Sequence, residues 1–294
     1  LKLLRAATLV VSDPKATAAR YVEWLDYRIK EEGTVPSELA ASWGAPNSAG
    51  QSYVVLEPAS GAPVYLRFVA GDPPVDYRPL RSYGWAAIEI CVQDVLAVNE
   101  RMAKSPFTII GPPRTLDGVP TIFPMQVQGP DQEIVYLTEI RADPPHHDLA
   151  RATSLIDRLF ILVLACSDLP ASLDWFERQL GLRIGDQMDI VYTMLARAFD
   201  LPMEQKHRIA TLVHDRDLFL ELDQYPPQAQ KRPGRPGHLP PGIALATLLH
   251  PDLAAIPGPW FSEPQRRSGI LYGDRLSGTL CDPDGTLVEI VSID

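Results

Sequence analysis

The chain has 294 residues, of which 46% are hydrophobic and 22% charged, the balance of a globular protein with material for one large domain or two ordinary ones. Its formal charge of −10 argues against nucleic acid as a partner, because neutralising phosphates takes clustered Lys and Arg. No apolar run approaches the roughly 20 residues that a membrane span needs, so a membrane partner is not expected either.

The opening stretch "LKLLRAATLVVSD" carries two basic residues and an apolar run that stops at Ser12-Asp13 without a small-residue cleavage pattern, so it reads as a first strand and not as a signal peptide. In "SDPKATAARYVEWLDYRI" (12–29) the Ser-Asp pair caps a helix whose apolar residues Tyr21, Val22 and Leu25 recur at helical spacing. An insertion, "TVPSELAASWGAP" (34–46), reads as a short helix entered through Pro36-Ser37, with Trp43 as a candidate wall of a hydrophobic pocket. The strands "SYVVLEP" and "PVYLRFV" follow. A second strand-then-helix opening comes in "AAIEICVQDVLAVNERMA" (86–103), followed by the strand-like "TIIGPP", "PTIFPMQVQ" and "QGPDQEIVYLTE". The polar, Pro-paired segment 141–158 reads as an interdomain connection.

Beyond it the chain repeats itself. "SDLPASLDWFERQLGLRI" (167–184) lays Ser167 on Ser12, Asp168 on Asp13, Ala171 on Ala16, Leu180 on Leu25 and Ile184 on Ile29. The insertion recurs as "DIVYTMLARAFDLP" (189–202), whose Tyr192, Met194 and Phe199 are further pocket candidates. After the strands "HRIATLVHD" and "LFLELDQ" comes "PPQAQKRPGRPGHLPPG" (226–242), with Lys231, Arg232 and Arg235. It is either a linker or a basic flap over an acidic or phosphate-bearing ligand. "IALATLLHPDLAAI" (243–256) repeats the opening more loosely, and "CDPDGTLVEIVS" restates "QGPDQEIVYLTE" with Pro283-Asp284 on Pro130-Asp131 and Glu289 on Tyr136. The expectation is an α+β protein of four βαβββ units in two similar domains, 1–142 and 158–294, joined by a linker at 143–157. Three cysteines, Cys91, Cys166 and Cys281, cannot all pair and match no zinc spacing, which suits buried thiols in a reducing compartment such as the cytoplasm.

Paired βαβββ units, a strand ending in Asp before an amphipathic helix, and the phrase "DPDGTLVEI" resemble the vicinal oxygen chelate superfamily. Its members include glyoxalase I, the extradiol dioxygenases, the fosfomycin and bleomycin resistance proteins and methylmalonyl-CoA epimerase. The resemblance spans nearly the whole chain, and the doubling looks most like the extradiol dioxygenases. It implies tandem glyoxalase-like domains with cupped mixed sheets around a small-molecule cavity, and it leaves the reaction open because the fold hosts unrelated chemistries.

The resemblance also implies where metal ligands would stand. Counted back from each strand-ending Asp, the first-strand positions are Ala6 and Ile161 and the fifth-strand positions Ala87 and Leu245, none of them a donor. The fourth-strand positions are Arg67 and Glu221, and the eighth-strand positions Tyr136 and Glu289. The two-His, one-carboxylate iron set is absent. The expectation is a site with no metal, ranked above a divalent cation at Glu221 and Glu289.

Without a metal, Glu221 and Glu289 sharing a second-domain cup would form an acid/base pair, like charge raising the pKa of one of them. The plainer alternative is polar residues on the wet face of alternating strands. Arg67 and Tyr136 either form a cup for an anion or phenol, or simply pack. The functional expectation is an enzyme acting on a hydrophobic or aromatic oxygenated metabolite. Set against it are a bleomycin-resistance-like protein that sequesters its ligand without turnover, and a glyoxalase- or dioxygenase-like metalloenzyme. The sequence leaves open whether the chain forms a homodimer.

Overall fold

Four times along the chain, an apolar strand ends at an aspartate whose side chain takes the backbone N–H groups that follow. In the computed structural model, which describes residues 2–116 and 119–293, Asp13 accepts from the nitrogens of Lys15 (3.0 Å) and Ala16 (3.1 Å). Asp94 accepts from Leu96 and Ala97, Asp168 from Ala171, and Asp252 from Ala254. Each cap supplies acceptors for donors that a helix leaves unpaired at its start.

The first unit runs β1 (Leu4–Val11), α1 (Pro14–Leu25), β2 (Arg28–Thr34), α2 (Ser37–Ser42), β3 (Ser52–Glu57) and β4 (Tyr65–Ala70). The second is β5 (Gly84–Val92), α3 (Val95–Met102), β6 (Thr108–Gly111), β7 (Ile122–Gln128) and β8 (Ile134–Ile140). The third is β9 (Ile156–Cys166), α4 (Leu169–Leu180), β10 (Arg183–Val191), α5 (Thr193–Ala198), β11 (Lys206–His214) and β12 (Asp217–Gln224). The fourth is β13 (Gly242–His250), β14 (Gln265–Arg267), β15 (Arg275–Cys281) and β16 (Leu287–Ser292). Its expected helix shrinks to a single 3-10 turn at Leu253–Ala255, because Pro257 and Pro259 cannot continue a helical hydrogen-bond ladder. Among the described residues no helix is long and apolar enough to cross a membrane.

The sheets do not follow the halves of the chain. One eight-stranded sheet has the order β14-β15-β16-β13-β1-β4-β3-β2, joining the fourth unit to the first. The other has the order β10-β11-β12-β9-β5-β8-β7-β6, joining the third unit to the second. The halves 1–142 and 158–294 therefore do not each own a sheet. The joins are antiparallel, β1 against β13 and β5 against β9. These four strands are apolar on both faces and gain a ladder partner on each edge, as buried central strands require.

Alternate residues of each strand face opposite ways. One side of both sheets, with residues of α1, α3 and α4, contributes to a single shared core that includes Tyr21, Phe68, Ile88, Phe176, Leu220 and Ile290. The other sides line two separate cups. In the β1 cup, Trp43 packs with Ala6, Val10, Ala244 and Leu287. In the β5 cup, Tyr136 packs with Ala87, Val163, Ala165 and the α5 segment. Cys91 and Cys166 are buried as expected, but Cys281 is exposed at the end of β15.

The repeated "PD" turns clip one unit to another. Asp131, between β7 and β8, accepts from the Thr17 hydroxyl (2.6 Å) and pairs with Arg20, both on α1. Asp284, between β15 and β16, accepts from the backbone N–H (2.8 Å) and the hydroxyl of Ser167, just before α4. Each turn thus ties one sheet to the start of a helix that belongs to the other.

Candidate functional site

Each cup gathers side chains from the central strands of two units. In the β1 cup, Thr8 lies level with Arg67 on the neighbouring strand, and Thr247 level with Glu289. Arg67 donates to the Thr8 hydroxyl (2.9 Å), to the Tyr272 hydroxyl (2.7 Å) and to Glu289 (3.3 Å). Glu289 also accepts from the Trp43 indole N–H (2.8 Å), the Thr247 hydroxyl (2.8 Å) and the Tyr272 hydroxyl (3.0 Å). The Arg67 guanidinium stacks 4.6 Å from the Trp43 ring centroid. Burial works against its charge, but Tyr272 and Glu289 outweigh that and leave its pKa raised.

Arg67 and Glu289 are 2% and 1% exposed. A carboxylate that takes four donors, one of them a buried guanidinium, has no lone pair free for a substrate proton. Glu289 is therefore held in a buried ion pair, and service as the acid/base residue expected from the sequence would need that pair to open. Arg67 likewise does not hold its guanidinium in solvent.

Glu221 and Glu289 do not share a cup. Glu221 stands on β12, between Leu220 and Leu222 of the shared core, and points into the β5 cup; Glu289 stands on β16, between Val288 and Ile290 of the same core, and points into the β1 cup. The two carboxyls therefore do not form the shared donor pair expected from the sequence. The other expected pocket residues divide in the same way, Arg67 and Trp43 in the β1 cup, and Tyr136, Tyr192, Met194 and Phe199 in the β5 cup.

The β5 cup holds carboxyl groups and no arginine plug. Glu89 lies level with Tyr136, and Glu221 level with Val163. Burial raises the Glu89 carboxyl to about 8, helped by Glu221 and opposed by the hydrogen bond from the Thr138 hydroxyl. Asp223, two residues from Glu221 and on the same face, is 0% exposed with no well-placed donor on either oxygen. Burial raises it to about 7 even though the Glu221 carboxyl and the Tyr192 hydroxyl lower it. Burial and Asp223 push Glu221 well above the usual carboxylate range. The hydroxyls of Tyr136 and Tyr192 meet in a short hydrogen bond. Burial raises both phenols, and Tyr225 with them, so they stay neutral donors.

The register adds cross-strand neighbours to the positions counted from the strand-ending aspartates. The residues level with Arg67, Glu221, Tyr136 and Glu289 are Thr8, Val163, Glu89 and Thr247, each two residues beyond Ala6, Ile161, Ala87 and Leu245. Two residues is one pleat, which preserves the face and changes only the depth. Glu89 was missed for this reason. Asp223 had a visible signal, an acidic residue two from Glu221 in "LELD", which alternation places on one face.

Neither cup fits a transition metal. In the β1 cup the guanidinium of Arg67 occupies the centre and repels a cation. In the β5 cup the donors are carboxyl and phenol oxygens without an imidazole, and among the described residues no group of His, Cys, Asp or Glu side chains converges on one point.

Two cavities, of about 210 and 200 Å³, lie beneath residues 226–242. The β5 carboxyl groups line neither; Tyr192, Met194, Leu195 and Phe199 from the α5 segment pack over their cup.

No protein-family model and no curated protein matches the chain. Solved structures do. Glyoxalase I from Zea mays superimposes with a TM-score of 0.66 at 19% identity, covering 98% of this chain and 92% of that one. A candidate dioxygenase from Bacillus subtilis superimposes with a TM-score of 0.62 at 13% identity, covering 99% and 86%. At such identities the likeness concerns the fold alone. With its four units, two cups and one shared core, the chain has the tandem glyoxalase-like fold of those structures.

Proposed function

We propose that the chain is an enzyme acting on a small hydrophobic or aromatic oxygenated molecule in the β5 cup, with carboxyl groups and no metal as its proton-transfer machinery. The observation that carries this reading is the gathering of Glu89, Glu221 and Asp223 on one face, all three raised above the usual carboxylate range by burial.

Two carboxyls that share a proton titrate as a pair, one holding the proton while the other is charged. Glu221 in its neutral form gives a proton to a substrate oxygen, and the like charge of Asp223 beside it favours recovery of that proton afterwards. Glu89 in its charged form takes a proton from a carbon next to a carbonyl. Raised pKa values suit both tasks near neutrality. Tyr136 and Tyr192 offer phenol donors to the oxygen on which charge develops. The apolar side chains of the α5 segment keep water from the reacting atoms once a ligand is inside.

The test is hydrogen–deuterium exchange by NMR, with the purified chain in D₂O and a panel of hydrophobic hydroxyketones and aryl ketones. Exchange next to the carbonyl is expected, and Glu89→Gln and Glu221→Gln should slow it by about 10²–10⁴-fold. Ligands that bind tightly without exchange would leave a sequestering protein instead. Exchange surviving in both variants would place the chemistry outside the β5 cup.

A further inference from the structure

The connection between β12 and β13 is not a loose linker. Asn47 takes the Gly237 carbonyl through its backbone N–H (2.7 Å), and Leu239 N–H donates to the Ser48 hydroxyl (3.0 Å). Tyr83 N–H donates to the Gln230 carbonyl (3.0 Å). Arg232 reaches inward to the carbonyls of Trp85 (2.8 Å) and Ile243 (2.8 Å) and to the Ser82 hydroxyl (3.3 Å). All of those acceptors are neutral, so the hydrogen bonds fix the guanidinium without cancelling its charge. Lys231 beside it has no carboxylate partner among the described residues.

Both cations line the cavity of about 210 Å³ at the mouth of the β1 cup, together with His238. Its apolar walls include Trp43 and Phe261; the Phe261 ring lies against Gly44 and is 47% exposed. The one carboxylate in the lining, Asp284, holds Ser167 with both oxygens and keeps its charge, so Lys231 and Arg232 outnumber it two to one. On a chain of net charge −10, this is a preformed hollow with a positive end and an aromatic end.

We infer that this cavity is a binding site for a small anion carried on an aromatic ring, an aryl carboxylate or aryl phosphate, with Lys231 and Arg232 taking the anion and Trp43 and Phe261 the ring. The volume equals that of roughly seven waters, which suits a single ring with one anionic group. The site lies on the other sheet from the carboxyl cluster and does not depend on the activity proposed there.

The test is calorimetric titration of the whole chain with benzoate, phenyl phosphate, benzyl alcohol and inorganic phosphate. Benzoate or phenyl phosphate should bind at least tenfold tighter than benzyl alcohol and inorganic phosphate, and the tighter of the two identifies the anion. Arg232 holds the fold through its carbonyl bonds, so the informative variants are at Lys231. Lys231→Gln should weaken the anionic ligand at least tenfold, and Lys231→Arg should restore most of the loss. No binding by either aryl anion, equal binding of benzyl alcohol or of inorganic phosphate alone, or an undiminished Lys231→Gln variant would each overturn the inference.

Discussion

Glu289 and Arg67, from β16 and β4 of one sheet, form a buried ion pair in the β1 cup, and Trp43 touches both. Tyr136 and Glu221 occupy the matching strands of the other sheet. One cup is filled by an ion pair, and the other keeps its carboxyl groups.

Removing one member of the pair should therefore cost stability. Glu289→Gln leaves a buried guanidinium without its counter-charge, for which about 3–5 kcal/mol is the usual cost. Urea unfolding should show this loss. The double variant Arg67→Met/Glu289→Leu should recover most of it, since the uncompensated charge goes too.

The raised carboxyls set the pH dependence of folding. Glu89 stands at about 8, Glu133 and Asp223 at about 7 and Asp282 at about 6, in each case mainly through burial. Their folded values lie above those of an unfolded chain, so the native state holds more protons from about pH 4 to pH 8. Stability is then fully present at low pH and falls as pH rises through that window. Urea midpoints at about pH 5 should exceed those at about pH 8. Glu133→Gln should flatten the slope, by up to roughly 3 kcal/mol.

The paired turns offer a symmetrical check. Asp131→Ala removes acceptors from Thr17 and Arg20, and Asp284→Ala removes those of Ser167. Each should cost about 1–3 kcal/mol, and hydrogen exchange should speed at the first turn of α1 in one variant and of α4 in the other.

Tyr136→Phe removes the hydroxyl that meets Tyr192. The α5 segment should become easier to open, by about 1 kcal/mol. Exchange at Thr193–Ala198 should rise several-fold while the midpoint of the whole protein moves little.

Local features were legible in the sequence. The aspartate caps and the strand-helix openings depend on neighbouring residues, and they are present except for the fourth helix, which shrinks to a single 3-10 turn. Two other features were not legible. Which unit pairs with which depends on contacts far apart in the chain, and near-identical units present near-identical strand edges. The depth of a residue along a strand is equally hidden, because period-two alternation assigns a face and nothing more. That is why Glu89, one pleat from Ala87, was passed over, and why Glu221 and Glu289 were set side by side when they stand in different cups.

The woven order of the units changes what the segment at 143–157 means. It is the covalent link between the two halves, yet β1 with β13 and β5 with β9 hold those halves together along two full ladders. A single backbone cut there would leave two fragments, each supplying four strands to each sheet, that stay associated as one particle. Either fragment alone would expose a raw central edge on β1 or β13 and another on β5 or β9, and should aggregate or seek a second copy of itself. Each half thus completes both sheets of the other, and the linker contributes proximity.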